Sequence, residues 1–202
     1  MFRLVKRKKM LKKIILLASG NGSNVENICS FFEHDDNIEI LGVFTNNPKA
    51  GVLKRIESFG LKGIVFDRTK FTNGNLLEEI KALSPDLIVL AGFLWKIGPD
   101  WVRSFPSKII NIHPALLPKY GGKGMYGNYV HRAVKENNEK ETGITIHYVN
   151  EEYDKGNFIF QARVSLSDQD NESDIAVKIH SLEQQHFPKI IASLLNNNVN
   201  EI

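Results

Sequence analysis

Short apolar runs, rich in β-branched residues, recur along the first half of the chain and constrain the fold more than any other feature. They are Ile14–Ala18, Ile38–Phe44, Gly63–Phe66, Leu87–Leu90 and Ile109–Ile112. The runs lack the clear alternation of apolar and polar residues that marks a strand with one face in water, so we expect strands covered on both faces. Helical patterns separate the runs. This predicts an α/β fold with an open, mostly parallel, doubly wound sheet flanked by helices.

The second half of the chain has a different pattern. Two strand-like runs, Gly143–Val149 and Asn157–Val164, lie close together in sequence. Their closeness predicts either antiparallel pairing or a long connecting loop between sheet strands. Apolar residues at helical spacing from Ile175 to Leu194 predict a long C-terminal helix, which Pro188 should kink or break.

The basic charge of the chain is concentrated at its N-terminus. The net charge is +3, yet the first thirteen residues carry seven basic side chains and no acidic one. Removing those seven charges leaves −4, so the rest of the chain is mildly acidic and does not suggest a nucleic-acid-binding face. We expect residues 1–12 to form a disordered basic extension and residues 13–202 a single domain. The extension is either a solvated end or a segment upstream of a start at Met10.

The cysteine and histidine content indicates which cellular compartment to expect and whether a metal site is expected. Cys29 is the only cysteine, which excludes a disulfide framework and favours the cytoplasm. We expect Cys29 to be a buried helix residue. His34, His147 and His180 lack the spacing of metal ligands, so no metal is expected. The apolar run Ile14–Ala18 is too short to span a bilayer, and no signal peptide precedes it.

A strand end delivers an amide and an imidazole two residues apart. In the run ending at His113, Asn111 and His113 project from the same face, and Pro114 ends the ladder beside them. An amide donor and a protonatable imidazole suit a reaction that develops negative charge on oxygen, such as acyl transfer. The same residue types also satisfy backbone groups in turns, and this segment alone does not separate the two interpretations.

A glycine-rich segment, Ser19–Asn24, joins the first strand to the first helix. Backbone N–H groups at such a turn and the helix N-terminus favour an anion, typically a phosphate. The spacing is neither that of a Walker loop nor that of a dinucleotide fingerprint. The alternative is a tight turn in which Ser23 or Asn24 caps the helix.

Two more loops carry candidate residues. Asp154 lies between the two late strands, where a carboxylate could favour the protonated form of a nearby imidazole, or simply form an Asp-x-Gly turn. The segment Ala91–Ile97 follows the fourth strand, at the edge where open α/β sheets bind ligands. It could wall a flat aromatic pocket, although core packing explains Phe93 and Trp95 equally well.

Four of these motifs occur together in an order that resembles the phosphoribosylglycinamide formyltransferase family. They are Gly20–Asn24, Ala91–Phe93, Asn111–Pro118 and Asp154–Gly156, and the resemblance runs from Lys13 over nearly the whole chain. It implies transfer of a formyl group from 10-formyltetrahydrofolate to the amine of glycinamide ribonucleotide in purine synthesis. It also implies small-molecule substrates, no metal, no nucleic-acid or membrane partner, and a monomer or homodimer.

The resemblance assigns roles to individual residues. Asn111, His113 and Asp154 match the catalytic trio of the family, and Glu183 matches the carboxylate that holds the substrate ribose. The substrate-phosphate loop corresponds to Gly22, Ser23 and Asn24. The folate pocket corresponds to Leu94, Trp95, Lys96, Ile97, Asn111, Glu151, Glu152 and Tyr153.

The chain departs from the family pattern in two places. The loop Gly121–Gly127 is richer in glycine and longer than in many bacterial relatives, so the substrate contacts of this loop and of His131 stay open. Near Asp67–Gly74 no clear counterpart exists for an arginine that some relatives place beside the folate, and Arg68 is only a candidate.

Other functions compete with this interpretation. Methionyl-tRNA formyltransferase and formyltetrahydrofolate hydrolase resemble the same catalytic core, but each normally carries an additional domain that 202 residues do not accommodate. A non-catalytic phosphate-binding module with a basic, nucleic-acid-touching tail is a rival of another class. The presence of all three acid/base candidates argues against that module.

Overall fold

The protein, described here by a computed structural model over residues 11–196, forms one seven-stranded sheet with the order β3-β2-β1-β4-β5-β6-β7. The strands are β1 (Lys12–Leu17), β2 (Ile38–Thr45), β3 (Gly63–Val65), β4 (Leu87–Leu90), β5 (Ile109–His113), β6 (Glu141–Tyr148) and β7 (Phe158–Ser165). Strands β1 to β5 are parallel, whereas β6 pairs antiparallel with both β5 and β7. The predicted open, mostly parallel sheet is confirmed.

Helices cover both faces of the sheet. They are α1 (Ser23–Phe32), α2 (Val52–Arg55), α3 (Arg68–Thr72), α4 (Asn75–Leu83), α5 (Pro99–Ser104), α6 (Asn128–Glu136) and α7 (Glu172–Leu195), and a 3₁₀ turn, Ile56–Phe59, follows α2. Within residues 11–196, no helix is long and apolar enough to cross a membrane.

Alternate residues of β1 enter two separate cores. Ile14 and Leu16 pack with apolar residues of α1, α6 and α7 on one face. Ile15 and Leu17 pack with residues of α3, α4 and α5 on the other. All four side chains are fully buried, which explains why the run shows no polar alternation.

The strand order places the candidate motifs side by side. The chain runs from β1 outward to β2 and β3, then returns to place β4 on the opposite side of β1. The sheet therefore has a switch point between β1 and β4, where the following loops leave in opposite directions and open a crevice. The glycine-rich segment, the Ala91–Ile97 segment and the end of β5 all meet at this edge.

The N-terminal boundary and the late strands resolve two expectations. Strand β1 starts at Lys12, inside the range expected to be an extension, and the backbone N–H of Lys13 donates to Asp86 (2.9 Å). The expected disorder of residues 1–10 lies outside the described residues. Strands β6 and β7 pair directly, the first of the two predicted alternatives. Cys29 is buried in α1, as predicted, and burial raises the pKa of its thiol to about 12.

Of the two effects predicted for Pro188, a break is wrong, because α7 runs without interruption from Glu172 to Leu195, and a kink stays a prediction. Proline has no N–H to donate to the carbonyl four residues earlier, which is that of Gln184. The Nδ2 of Asn27, in α1, donates to this carbonyl instead (3.0 Å). A contact from a neighbouring helix thus replaces the missing bond of α7.

Candidate active site

A cavity of about 680 Å³ opens at the carboxyl edge of the sheet. Three of its walls are the segments that follow β1, β4 and β5, and the others come from the 122–127 loop, the loop after β6, and α7. The candidate residues that line it are Asn24, Leu94, Trp95, Lys96, Ile97, Asn111, His113, Glu152, Tyr153, Asp154 and Glu183. Gly22, Ser23 and Glu151 are not among its lining residues, although each adjoins or nearly adjoins one that is.

The glycine-rich segment adopts a conformation that only glycine tolerates well. Gly22 has a φ of +82°, and a Cβ built there would lie 2.5 Å from the Cβ of Val52. Gly22 is the N-cap residue of α1 and no side chain caps the helix, so the alternative with Ser23 or Asn24 as the cap is wrong. The first-turn N–H groups of α1 have no side-chain acceptor at the cap.

Asn111, His113, His147 and Asp154 form one polar cluster in the cavity wall. The Asp154 carboxylate lies between the two imidazoles, with Oδ2 at 3.6 Å from His113 Nδ1 and Oδ1 at 3.6 Å from His147 Nε2. His113 and His147 are 3 % and 2 % exposed. At 3.6 Å both contacts are longer than hydrogen bonds, and each is an ion pair only when its imidazole is protonated.

Hydrogen bonds indicate which ring nitrogens carry protons. His147 Nδ1 donates to the Tyr148 carbonyl (2.9 Å), so in neutral His147 the Nε2 accepts from Asn111 Nδ2 (3.2 Å). His113 Nε2 donates to the Tyr120 carbonyl (2.8 Å). The second N–H of Asn111 has no partner among the described residues and belongs to a side chain that lines the cavity.

Burial and charge have opposite effects on the pKa values of the His113–Asp154 pair. Burial lowers the pKa of His113, while the negative charge of Asp154 and the Tyr120 carbonyl act to raise it. Burial acts to raise the pKa of Asp154. The contact with His147, the charge of His113 and the Gly122 N–H outweigh burial, so the pKa of Asp154 is lowered. Asp154 therefore stays a carboxylate, and its charge favours the protonated form of His113 although burial lowers the pKa of that ring overall.

Asp154 is more than a simple turn residue. Its backbone has a φ of +55°, and its carboxylate points inward to accept a hydrogen bond from the Gly122 N–H (2.8 Å). The alternative of an ordinary Asp-x-Gly turn therefore does not describe its side chain.

The wall beyond β4 combines backbone contacts and aromatic rings. The Leu94 N–H donates to Ser19 Oγ (2.9 Å), which ties this loop to the end of β1. Phe93 and Trp95 both pack on Phe71 and both line the cavity, and Phe93 is also part of the buried core. The Arg68 guanidinium lies over the Trp95 ring, 4.7 Å from its centroid.

The wall formed by α7 carries Glu183. Its side chain is 14 % exposed and accepts a hydrogen bond from Asn24 Nδ2 (3.0 Å), which links α7 to the start of α1. His180 lies one turn earlier and lines the cavity, with Nδ1 3.8 Å from Glu183. His131, left open by sequence, is buried and also lines the cavity. Within residues 11–196 no group of three or more His, Cys, Asp or Glu side chains could hold a metal.

His147 is the site residue that sequence reasoning did not single out. It faces Asn111 directly in the antiparallel register of β5 and β6. The signal in the sequence is the alternation along β6, which puts Thr145 and His147 on one face. That signal points to the site only once the pairing of β6 with β5 is known, since Asn111 and His147 are 36 positions apart.

Comparisons with known proteins give matches that agree with one another. A family model described as formyl transferase matches residues 12–191. The chain is 34% identical to phosphoribosylglycinamide formyltransferase of Escherichia coli over 89% of this chain and 85% of that protein. It is 33% identical to the chloroplastic enzyme of the same name from Arabidopsis thaliana, over 93% and 67% of the two chains. The solved phosphoribosylglycinamide formyltransferase of Coxiella burnetii superposes with a TM-score of 0.84 at 33% identity, over 93% and 88%.

Proposed function

This chain belongs to the formyl transferase family, and from that premise we propose that it is a phosphoribosylglycinamide formyltransferase of de novo purine biosynthesis. It moves a formyl group from 10-formyltetrahydrofolate to the amine of 5-phosphoribosylglycinamide. The observation that carries the proposal is the cluster of Asn111, His113 and Asp154 in the wall of one cavity. This cluster provides a hydrogen-bond donor, a protonatable group and a carboxylate at one point.

Asn111 and His113 stabilise the charge that develops when the substrate amine attacks the formyl carbon. As the new C–N bond forms, the formyl oxygen gains negative charge. The N–H of Asn111 that has no partner among the described residues donates to this oxygen. Both ring nitrogens of His113 face protein groups, at 2.8 Å and 3.6 Å, so protonated His113 contributes mainly through its positive charge.

Asp154 favours the protonated form of His113 and assists the proton transfer. The attacking amine must lose a proton, and the folate nitrogen must gain one as its bond to the formyl carbon breaks. A carboxylate next to the reacting atoms can relay this proton through water. The lowered pKa of Asp154 keeps it ionised at neutral pH, as this role requires.

The other walls suit the two substrates. The uncapped start of α1 at Gly22–Asn24 suits the substrate phosphate, and Glu183 suits the ribose hydroxyls. The apolar and aromatic wall Leu94–Ile97, with Glu151–Tyr153, suits the flat folate ring. This assignment gives the ribonucleotide and the folate different walls of the cavity that Asn111 and His113 also line.

Catalysis by these side chains requires no metal. The single cysteine of the sequence fits a reducing compartment, and we place the enzyme in the cytoplasm as a monomer or homodimer.

The test is formyl transfer from 10-formyltetrahydrofolate to glycinamide ribonucleotide, run beside His113→Ala and a reaction without acceptor. We expect transfer that needs the acceptor and collapses in the variant. Release of formate without acceptor would instead indicate a hydrolase. Absence of both reactions would contradict the proposal.

A further inference from the structure

The turn Tyr120–Gly122 contacts both members of the His113–Asp154 pair. The Tyr120 carbonyl accepts from His113 Nε2 (2.8 Å), and the Gly122 N–H donates to Asp154 Oδ2 (2.8 Å). The turn therefore offers an acceptor to the group that becomes a cation and a donor to the group that is an anion. Both contacts favour the charged forms of the pair.

The backbone of this turn adopts an unfavourable conformation that requires support from its surroundings. Tyr120 has a φ of +57°, which costs a non-glycine residue free energy. Gly121 lies so close to Leu117 that a Cβ would be 2.5 Å from Leu117 Cδ2. Such a turn keeps its shape only where neighbouring contacts hold it.

The contact that holds Tyr120 lies outside the active-site cavity. The Tyr120 hydroxyl donates to Glu139 Oε1 (2.9 Å), just before strand β6, and Lys119 Nζ contacts the same oxygen (2.8 Å). Both Tyr120 and Glu139 line a second, smaller cavity on the other side of the turn. The Glu139 side chain is 23% exposed, whereas that of Lys119 is 67% exposed. The phenol contact is thus the more protected of the two.

We propose that Tyr120 and Glu139 are positioning residues whose hydrogen bond holds the Tyr120–Gly122 turn in place, and through it the charged His113–Asp154 pair. The consequence for the rate rests on the proposed function. The other titratable or charged groups that act on the His113 ring are Asp154, His147 and Glu183, which come from the loop after β6, from β6 and from α7. None of them contacts the Tyr120 hydroxyl.

The decisive variant is Tyr120→Phe, which keeps the ring and removes the hydroxyl. We expect kcat to fall by about two- to tenfold, because only part of the stabilisation from this charge-assisted hydrogen bond reaches His113 through the turn, with KM for both substrates within about twofold. The basic limb of the kcat–pH profile should move to lower pH, because a loosened Tyr120 carbonyl supports protonated His113 less well. The matched control is Lys119→Met, which removes the exposed contact to the same carboxylate and should leave kcat and its pH profile unchanged.

Glu139→Gln and Glu139→Ala provide a second route if Tyr120→Phe folds poorly. Glutamine keeps an oxygen that can accept from the phenol and should retain most of the wild-type kcat, whereas alanine should reproduce Tyr120→Phe. The titration of the His113 ring, followed by NMR and assigned with His113→Gln, is the second measurement. It should move to lower pH in Tyr120→Phe and in Glu139→Ala.

The outcomes separate this proposal from the proposed function. A wild-type pH profile and His113 titration in Tyr120→Phe and Glu139→Ala would overturn the positioning role. So would a loss of thermal stability with no change in the titration, since that indicates a purely structural contact. If the wild-type protein shows no formyl transfer, the proposed function fails, while the His113 titration still decides the role of Tyr120 and Glu139.

Discussion

At the scale of single residues, Asn111 contacts both the polar cluster and the cavity. One of its N–H groups is used by His147, and the other belongs to a side chain in the cavity wall. The residue is therefore oriented by the protein and still has a donor to offer a substrate. Orientation before the reaction is what makes such a donor effective in stabilising developing charge.

Replacing Asn111 by alanine should lower kcat by on the order of 10²- to 10³-fold, the usual loss for one donor to a developing oxyanion. Steady-state formyl transfer measures this loss. The control is Asn157→Ala, which replaces an exposed asparagine just before strand β7. An Asn111→Ala enzyme within about threefold of wild type would show that Asn111 is not the donor.

The pH dependence should reveal the coupling of Asp154 to His113. The Asp154 charge raises the pKa of His113 against the effect of burial. In Asp154→Asn that support is lost, so His113 should lose its proton at lower pH and the basic limb of the kcat–pH profile should move to lower pH. At neutral pH the loss in kcat should be on the order of 10²-fold.

The control for Asp154→Asn is Asp100→Asn, whose side chain is 77% exposed and whose partner, Arg103, lies on the same helix. Its profile should match wild type. A basic limb that stays in place in Asp154→Asn would mean that His113 does not control the rate.

At the level of secondary-structure elements, α1 and α7 support each other through polar contacts. Asn24 donates to Glu183 and Asn27 donates to the Gln184 carbonyl, both at 3.0 Å. The second contact exists because Pro188 leaves that carbonyl without its helical donor. The same pair of helices carries two walls of the cavity, so their packing also sets the position of Glu183.

Asn27→Ala should lower the free energy of unfolding by about 1 to 2 kcal/mol, because it leaves the partly buried Gln184 carbonyl without a donor. In a Pro188→Ala background the new N–H of residue 188 can satisfy that carbonyl, so the loss should be about half as large. Urea unfolding of the four proteins in the double-mutant cycle measures the difference. Equal losses in both backgrounds would contradict the link between Asn27 and Pro188.

Three glycines separate the effects of backbone conformation and crowding: Gly20 and Gly22 in the glycine-rich segment, and Gly60 after the 3₁₀ turn. Gly20→Ala meets open space at an ordinary φ and should change the free energy of unfolding by less than about 0.5 kcal/mol. Gly60→Ala has a φ of +63° in open space and should cost about 1 kcal/mol. Gly22→Ala has both a positive φ and the Val52 contact, so it should cost clearly more. Equal losses for Gly22→Ala and Gly60→Ala would show that Val52 moves away freely.

At the level of the whole molecule, the active site is assembled by the sheet switch point. Segments after β1, β4, β5 and β6 line one cavity together with α7, although Asn24 and Glu183 are 159 positions apart. The cavity-lining residues that the structure describes all lie between Gly20 and Glu183, outside the basic N-terminal segment. Its removal therefore tests whether the folded domain alone carries the activity.

A chain beginning at Met10 should keep formyl transfer within about twofold of the full chain, because it retains all of β1. The matched variant, which also removes residues through Lys13, loses the backbone contacts of Lys12 with Asn37 and of Lys13 with Asp86. It should be markedly less stable by thermal unfolding. A binding module that works through the tail would instead lose salt-sensitive nucleic-acid affinity in the first truncation.

The sequence alone determined the class of fold and most of the site. Apolar runs such as Leu87–Leu90 have no polar side chain on either face. Burial of both faces, and with it the parallel sheet, could therefore be predicted from the local pattern. Asn111 and His113 could be paired because strand geometry puts residues two apart on one face. Asp154 was only a candidate from its loop, and its pairing with His113, like the role of Glu183, came from the family resemblance, since no local pattern places either residue near His113.

Tertiary structure alone decided the contacts between residues far apart in sequence. The pairing of β5 with β6 brings His147 to Asn111, and the approach of α1 supplies the donor that lets α7 continue through Pro188. The Tyr120–Gly122 turn contacts both His113 and Asp154 because the loop after β6 packs against the segment after β5. Helix and strand patterns depend on neighbours a few positions away, whereas these hydrogen bonds depend on how whole elements pack. A local reading of the sequence therefore predicts the elements but not the partners of their polar groups.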